Sequence, residues 1–125
     1  MKLQTLSDSQ NLNSEIRPWG RFREIFQDDT INIKILEVNP TSRLSLQSHK
    51  YRSEHWIVQH GTAKVQINDL IKTLDVNDTI FIPQGAKHRL ENPSKNHTLV
   101  ILEIQQGSSF DENDIIRYSD DYNRS

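Results

Sequence analysis

Short β-forming runs, each cut off within a few residues by turn-forming residues, recur from Phe22 to Ile104, and this rhythm restricts the fold more than any other feature. The runs are Phe22–Phe26, Ile31–Val38, His55–Gln59, Ala63–Ile67, Ile71–Leu74, Thr79–Ile82 and Leu99–Ile104. Between them stand Asp28-Asp29, Asn39-Pro40, His60-Gly61, Asn68-Asp69, Asn77-Asp78, Pro83-Gln84-Gly85 and Asn92-Pro93. Many short strands punctuated at this spacing predict an all-β chain that closes on itself as an antiparallel barrel or sandwich. Two runs alternate visibly, Ile31, Ile33 and Ile35 against Asn32, Lys34 and Leu36, and Ala63, Val65 and Ile67 against Lys64, Gln66 and Asn68. Such alternation predicts sheets with one face in the core, the apolar set turned inward. Only Phe110–Tyr118, with Asp111 and Glu112 ahead of Ile115-Ile116, is a candidate helical turn.

The 125 residues, 34% hydrophobic, suffice for one domain with a core but not for two. Residues 1–15, rich in Ser, Asn, Gln and Asp, are expected to form a flexible N-terminal arm, and residues 16–125 a single domain. A formal net charge of -2 supplies no basic field for nucleic acid. The N-terminus lacks a signal-type apolar stretch and no run approaches membrane-spanning length, so a cytoplasmic protein without a membrane partner is expected. The triplets Asn77-Asp78-Thr79 and Asn96-His97-Thr98 are read as chance matches to a glycosylation site.

Cysteine is absent, so a metal would have to sit on histidine, carboxylate or amide ligands, and there are five histidines. Gln47-x-His49 is followed after four residues by Glu54 and after six more by Gly61; Pro83-x-Gly85-x-x-His88-x-x-x-Asn92 follows. Residues two apart on a strand point to one face, so Gln47 and His49 can reach a common ion. Glu54 is expected from the adjoining strand, and His88 from a second hairpin after the Pro-Gln-Gly turn. A lone strand histidine is more often structural than a ligand, but the joint spacing reverses those odds. Two imidazoles, a carboxylate and an amide oxygen leave coordination positions open for water or substrate. Zinc, manganese, cobalt, nickel and iron all accept this set, so one divalent ion of unspecified identity is expected.

The two blocks match the paired motifs of the cupins, a family of double-stranded β-helix (jelly-roll) barrels, except that Gln47 and Asn77 stand where histidine and glycine are usual. The string Leu44-Ser45-Leu46-Gln47-Ser48-His49-Lys50-Tyr51-Arg52-Ser53-Glu54-His55-Trp56 resembles more narrowly the isomerase signature of type II phosphomannose isomerases. The resemblance runs through Arg17-Pro18-Trp19-Gly20, Ile82-Pro83-Gln84-Gly85, His88-Arg89-Leu90-Glu91-Asn92-Pro93 and Asp114-Ile115-Ile116-Arg117. In many members this module follows a guanylyltransferase domain, whose nucleotide loop has no counterpart here. Lys50 and Tyr51 stand where histidines are common, Asn39-Pro40-Thr41 replaces a Pro-Gly turn, and Asn123 replaces a glycine.

The resemblance implies interconversion of mannose 6-phosphate and fructose 6-phosphate by moving a proton between C2 and C1, with the ion stabilising enediolate charge. Glu91, His55, Lys87 or a metal-bound hydroxide are candidates for the base, and Glu91 is taken as the catalytic carboxylate. Arg52, between two ligands, is the first candidate for the phosphate, ahead of Arg17 and Arg89, and the resemblance implies that it matters to isomerase activity. Trp19 and Trp56 are read as core or subunit contacts, and Lys87 and His97 as facing water. A sugar phosphate is the expected small-molecule partner, and a homodimer the expected assembly, because an exposed sheet edge needs cover. Two other functions compete: a non-catalytic cupin binding a sugar phosphate or nucleotide sugar, and a non-haem iron dioxygenase on His49, Glu54 and His88.

Overall fold

A computed structural model describes residues 14–124. Eleven strands follow one another: β1 Ser14–Arg17, β2 Gly20–Gln27, β3 Ile31–Val38, β4 Leu46–Ser48, β5 Arg52–His60, β6 Ala63–Ile67, β7 Leu70–Leu74, β8 Thr79–Ile82, β9 His88–Glu91, β10 Leu99–Gly107 and β11 Ile116–Ser119. They form a six-stranded sheet, β1-β2-β3-β10-β5-β8, and a five-stranded sheet, β11-β4-β9-β6-β7. Every pairing is antiparallel, as the turn rhythm predicts. Most of the expected arm lies outside the described residues; Ser14 and Glu15 pair with Arg23 and Phe22 in the first hairpin.

The turns sit where residues tolerant of positive φ are found. Asn77, in the place of a usual glycine, has φ +76°, and Thr41 and Asn123, which also replace glycines, have φ +60° and +58°. Asparagine adopts this region readily, whereas a β-branched threonine does so only under strain.

Two expectations are corrected. Along β3 the buried residues are Asn32, Lys34, Leu36 and Val38, and the isoleucines lie on the partly exposed face. The inward face is polar at one end because it lines a cavity, so the isoleucine stripe marks the outside. The segment expected to be a helical turn over 110–118 instead makes a turn closed by Asp114 N–H donating to Asp111 O at 3.0 Å, followed by β11. β11 pairs with β4, and tertiary pairing overrides the weak local preference.

Register arranges the interior in layers. Val38 opposes Leu99, and Leu36 opposes Ile101, which opposes Val58; all are buried and apolar. The next row is Lys34, Glu103 and Trp56, and the next Asn32, Gln105 and Glu54. On the facing sheet Val65 opposes Leu90, while Ile67 opposes His88, His88 opposes Gln47, and Gln47 opposes Arg117. The barrel is therefore packed hydrocarbon at one end and a polar cavity at the other.

Candidate metal centre

The cavity opens to solvent and is lined by side chains of both sheets, among them Trp19, Lys34, Gln47, Arg52 and Glu103. His49 follows directly on β4, and His88 begins β9 beside Gln47. Glu54 comes from β5 on the facing sheet, not from an adjoining strand as expected, so the group forms only when both sheets close. Ligand atoms of His49, Glu54 and His88 all lie within 4.8 Å of one another, a set able to hold a metal ion. All three side chains are almost completely buried.

The orientation of each group has a local cause. His49 Nδ1–H donates to the Asp114 carbonyl at 2.7 Å, and His88 Nδ1–H to the Ala86 carbonyl at 2.9 Å. Both rings thereby turn Nε2 inward: His88 Nε2 is 3.1 Å from Glu54 Oε1, and His49 Nε2 is 3.6 Å from Glu54 Oε2. Backbone carbonyls behind Nδ1 are the usual device for setting the tautomer of ligating histidines. Gln105 Nε2 donates to Glu54 Oε2 at 2.8 Å, and Asn32 Nδ2 donates to Gln105 Oε1 at 3.2 Å, a chain that fixes the carboxylate. The Gly85 N–H donates to the His49 carbonyl at 2.9 Å, tying the Pro-Gln-Gly turn to the first ligand block.

Burial pulls His88 down, but the hydrogen bond to Glu54 and the charge of that carboxylate more than reverse this, leaving His88 raised. Burial pushes Glu54 up, yet His88 and His49 with the Gln105 hydrogen bond hold it far below the ordinary carboxylate range. Burial keeps His49 low. The Glu54 carboxylate thus favours positive charge beside it, and two imidazoles with a carboxylate are a donor set that fits a divalent cation.

Arg52 is buried beside the group, its Nε 3.9 Å from Glu54 Oε2 and without a hydrogen bond, its Nη1 donating to the Asp111 carbonyl at 3.0 Å. The Asp114 carboxylate accepts the N–H groups of Lys50 and Tyr51, each at 2.9 Å. Gln47 lines the cavity and donates Nε2 to Ser45 Oγ at 2.9 Å. Arg17, Arg89, Trp19 and Trp56 line it as well.

The expected bases do not. Glu91 lies in a separate depression with Arg43 and Lys64, because β9 turns alternate side chains to opposite faces and His88 and Leu90 take the inner one. His55 packs its ring edge-on against Phe81 with centroids 5.8 Å apart, and Lys87 stands 4.4 Å from the Tyr118 ring centroid. Beside Glu54 and Glu112 the cavity wall carries Glu103, 5% exposed and accepting the Trp56 Nε1–H at 2.9 Å. Burial, reinforced by the Glu54 charge, pushes it up to about 8. Its signal in the sequence was register: Glu103 and Gln105 continue the inward positions of Leu99 and Ile101.

Comparison with known proteins agrees with this architecture. The Bacillus subtilis oxalate decarboxylase structure superposes with a TM-score of 0.76 at 20% identity, over 90% of this chain and 31% of that one. The Schizosaccharomyces pombe Cnp3 cupin domain gives 0.66 at 12% identity, over 70% and 64%. The fold is that of the cupins. Among sequences, the mannose-1-phosphate guanylyltransferase of Escherichia coli K12 is 45% identical over 86% of this chain and 22% of its own length. The xanthan biosynthesis protein XanB of Xanthomonas campestris strain B100 is 44% identical over 86% and 23%. The chain thus spans about a fifth of these relatives. Residues 5–120 match the family described as Mannose-6-phosphate isomerase C-terminal, and the chain belongs to that family.

Proposed function

We propose that the chain is a metal-dependent aldose-ketose isomerase that interconverts mannose 6-phosphate and fructose 6-phosphate. The observation that carries this reading is the buried His49, Glu54 and His88 group at the closed end of a solvent-open cavity, in a chain of this family. Gln47 would complete the ligand set through Oε1, since its Nε2 is engaged by Ser45. A divalent ion bound there would supply Lewis acidity at the carbonyl and hydroxyl oxygens of the substrate. The residues do the rest. Arg52 offers an uncommitted buried Nε–H beside the ligands, suited to a substrate oxygen that gains charge. Glu103, in place of Glu91, is the carboxyl positioned to hold and return a proton within the cavity, with Trp56 fixing Oε1. The apolar floor formed by Leu36 and Leu90 keeps bulk water from that end.

The test is conversion and proton exchange at C2 of mannose 6-phosphate in heavy water, followed by NMR, on metal-stripped protein with divalent ions added back. Fructose 6-phosphate should form only with an ion present. Saturable sugar-phosphate binding without exchange under any ion would replace the isomerase with a non-catalytic binding protein.

A further inference from the structure

The cavity carries more positive charge than its ligand set uses. Six cationic side chains line it against three carboxylates, although the whole chain has a net charge of -2. Lys34 shares a row with Glu103 and Trp56, Arg52 is buried one row beyond Glu54, and Arg89 is committed to backbone, Nε donating to Leu44 O at 3.0 Å and Nη2 to Ser119 O at 2.9 Å. The other three, Arg17, Arg117 and Arg124, come from β1, β11 and the segment after it.

Their placement is set by register. Gln47 pairs with His88 on one side and with Arg117 on the other, so the three side chains form a row on one face of the sheet. Strands lie roughly 4.8 Å apart, which puts Arg117 roughly 10 Å from His88. Arg124 is held by Asp120, Nε to Oδ2 at 2.8 Å and Nη2 to Oδ1 at 3.0 Å. Arg17 stacks with Cζ 5.0 Å from the Phe22 centroid, near Glu15 and with Glu112 at 3.6 Å. Side chains of Arg17 and Arg124 are 31% and 24% exposed, against 3% for Arg52. Burial lowers Arg117, and the charges of Arg124 and Arg17 lower it further, against Asp120 and Glu112. Arg124 and Arg17 thus each stand near enough to Arg117 to repel it, a repulsion that Asp120 and Glu112 oppose and that a bound anion would relieve.

We infer that Arg117, with Arg17 and Arg124, forms an anion subsite at the cavity mouth that takes the phosphate group of the substrate, leaving Arg52 to the reacting end. The inference rests on the isomerase reading. In a hexose 6-phosphate whose C1 and C2 reach the His49, Glu54 and His88 group, the phosphate lies at the far end of the carbon chain. The Gln47 row gives that separation. A phosphate on Arg52 would instead crowd the Glu54 carboxylate, 3.9 Å away.

The experiment uses the full chain with Arg117→Gln, Arg117→Lys and, on the edge strand β1, Arg17→Gln, which keeps the test available if β11 does not tolerate substitution. With the ion restored, the preference for mannose 6-phosphate over mannose, as a ratio of kcat/KM, should fall roughly tenfold to a hundredfold in Arg117→Gln, mainly through KM. Arg117→Lys should recover part of it. An unchanged preference in Arg117→Gln and Arg17→Gln would overturn the subsite. Titration of the metal-free protein with inorganic phosphate, read by NMR, separates this from the isomerase reading itself. If no sugar is turned over, phosphate binding that weakens in Arg117→Gln still supports the subsite, and phosphate binding that is absent or unaltered by the substitution overturns it.

Discussion

Replacing Glu103 by glutamine should change how stability depends on pH, and by an amount that follows from its surroundings. In the folded chain burial and the Glu54 charge raise the carboxyl from 4.5 to about 8. Between these values the unfolded chain has released a proton that the folded chain keeps, so stability falls as pH rises, by about 1.4 kcal/mol per pH unit. The contribution is fully present below 4.5 and lost as pH passes through 8. From pH 5 to pH 8 the loss amounts to about 3 to 4 kcal/mol. Glutamine cannot titrate but keeps an oxygen for the Trp56 Nε1–H. Urea unfolding of chelator-treated wild type and Glu103→Gln at pH 5, 6, 7 and 8 gives the difference. The variant should gain on the wild type by that amount across the range. A difference that stays flat with pH would refute the idea that Glu103 is protonated in the folded protein.

Three further outcomes are expected. His88→Ala and Glu54→Gln should each lose bound divalent metal while keeping the fold, which elemental analysis beside circular dichroism would show; full occupancy in both would remove the metal centre. Thr41→Gly relieves a β-branched residue at φ +60° and should raise stability by about 1 kcal/mol in urea unfolding, since the Thr41 N–H bond to Ser94 O is retained. Gly107→Ala would place a methyl 2.1 Å from the Tyr51 carbonyl oxygen and 2.7 Å from Arg52 Cα; a loss of about 3 kcal/mol or more is expected, and a neutral result would contradict the β5–β10 register.

What could be read without coordinates follows a physical division. Strands with a clear apolar alternation announced themselves, on the inner face in β6 and β8 and on the outer face in β3, and all three have the predicted limits. β4, β9 and β11 did not, because Gln47, His88, Arg89 and Arg117 occupy positions where an apolar pattern would otherwise show. β3 was located but turned over, since Asn32 and Lys34 take the buried face, with Lys34 at the cavity wall, and the isoleucines do not. That His49, Glu54 and His88 would meet was legible because spacing along two short segments suffices to suggest it. Which carboxyl faces the cavity was not, because the face that Glu91 or Glu103 takes depends on strand register. Arg117 could gain meaning only once β11 was seen beside β4.

The clamp between residues 111–114 and the first ligand block has a kinetic consequence. The Asp114 carbonyl holds His49, its carboxylate holds the backbone of Lys50 and Tyr51, and the Asp111 carbonyl holds Arg52. Peeling this turn from the barrel would free the His49 ring and its neighbours and leave the hydrocarbon layers in place, so an ion held by His49, Glu54 and His88 would escape through a local opening rather than through global unfolding. The rate at which a chelator strips the protein should then follow amide exchange at Lys50 and Tyr51, and a proteolytic nick in the turn should leave a folded barrel that leaks its metal.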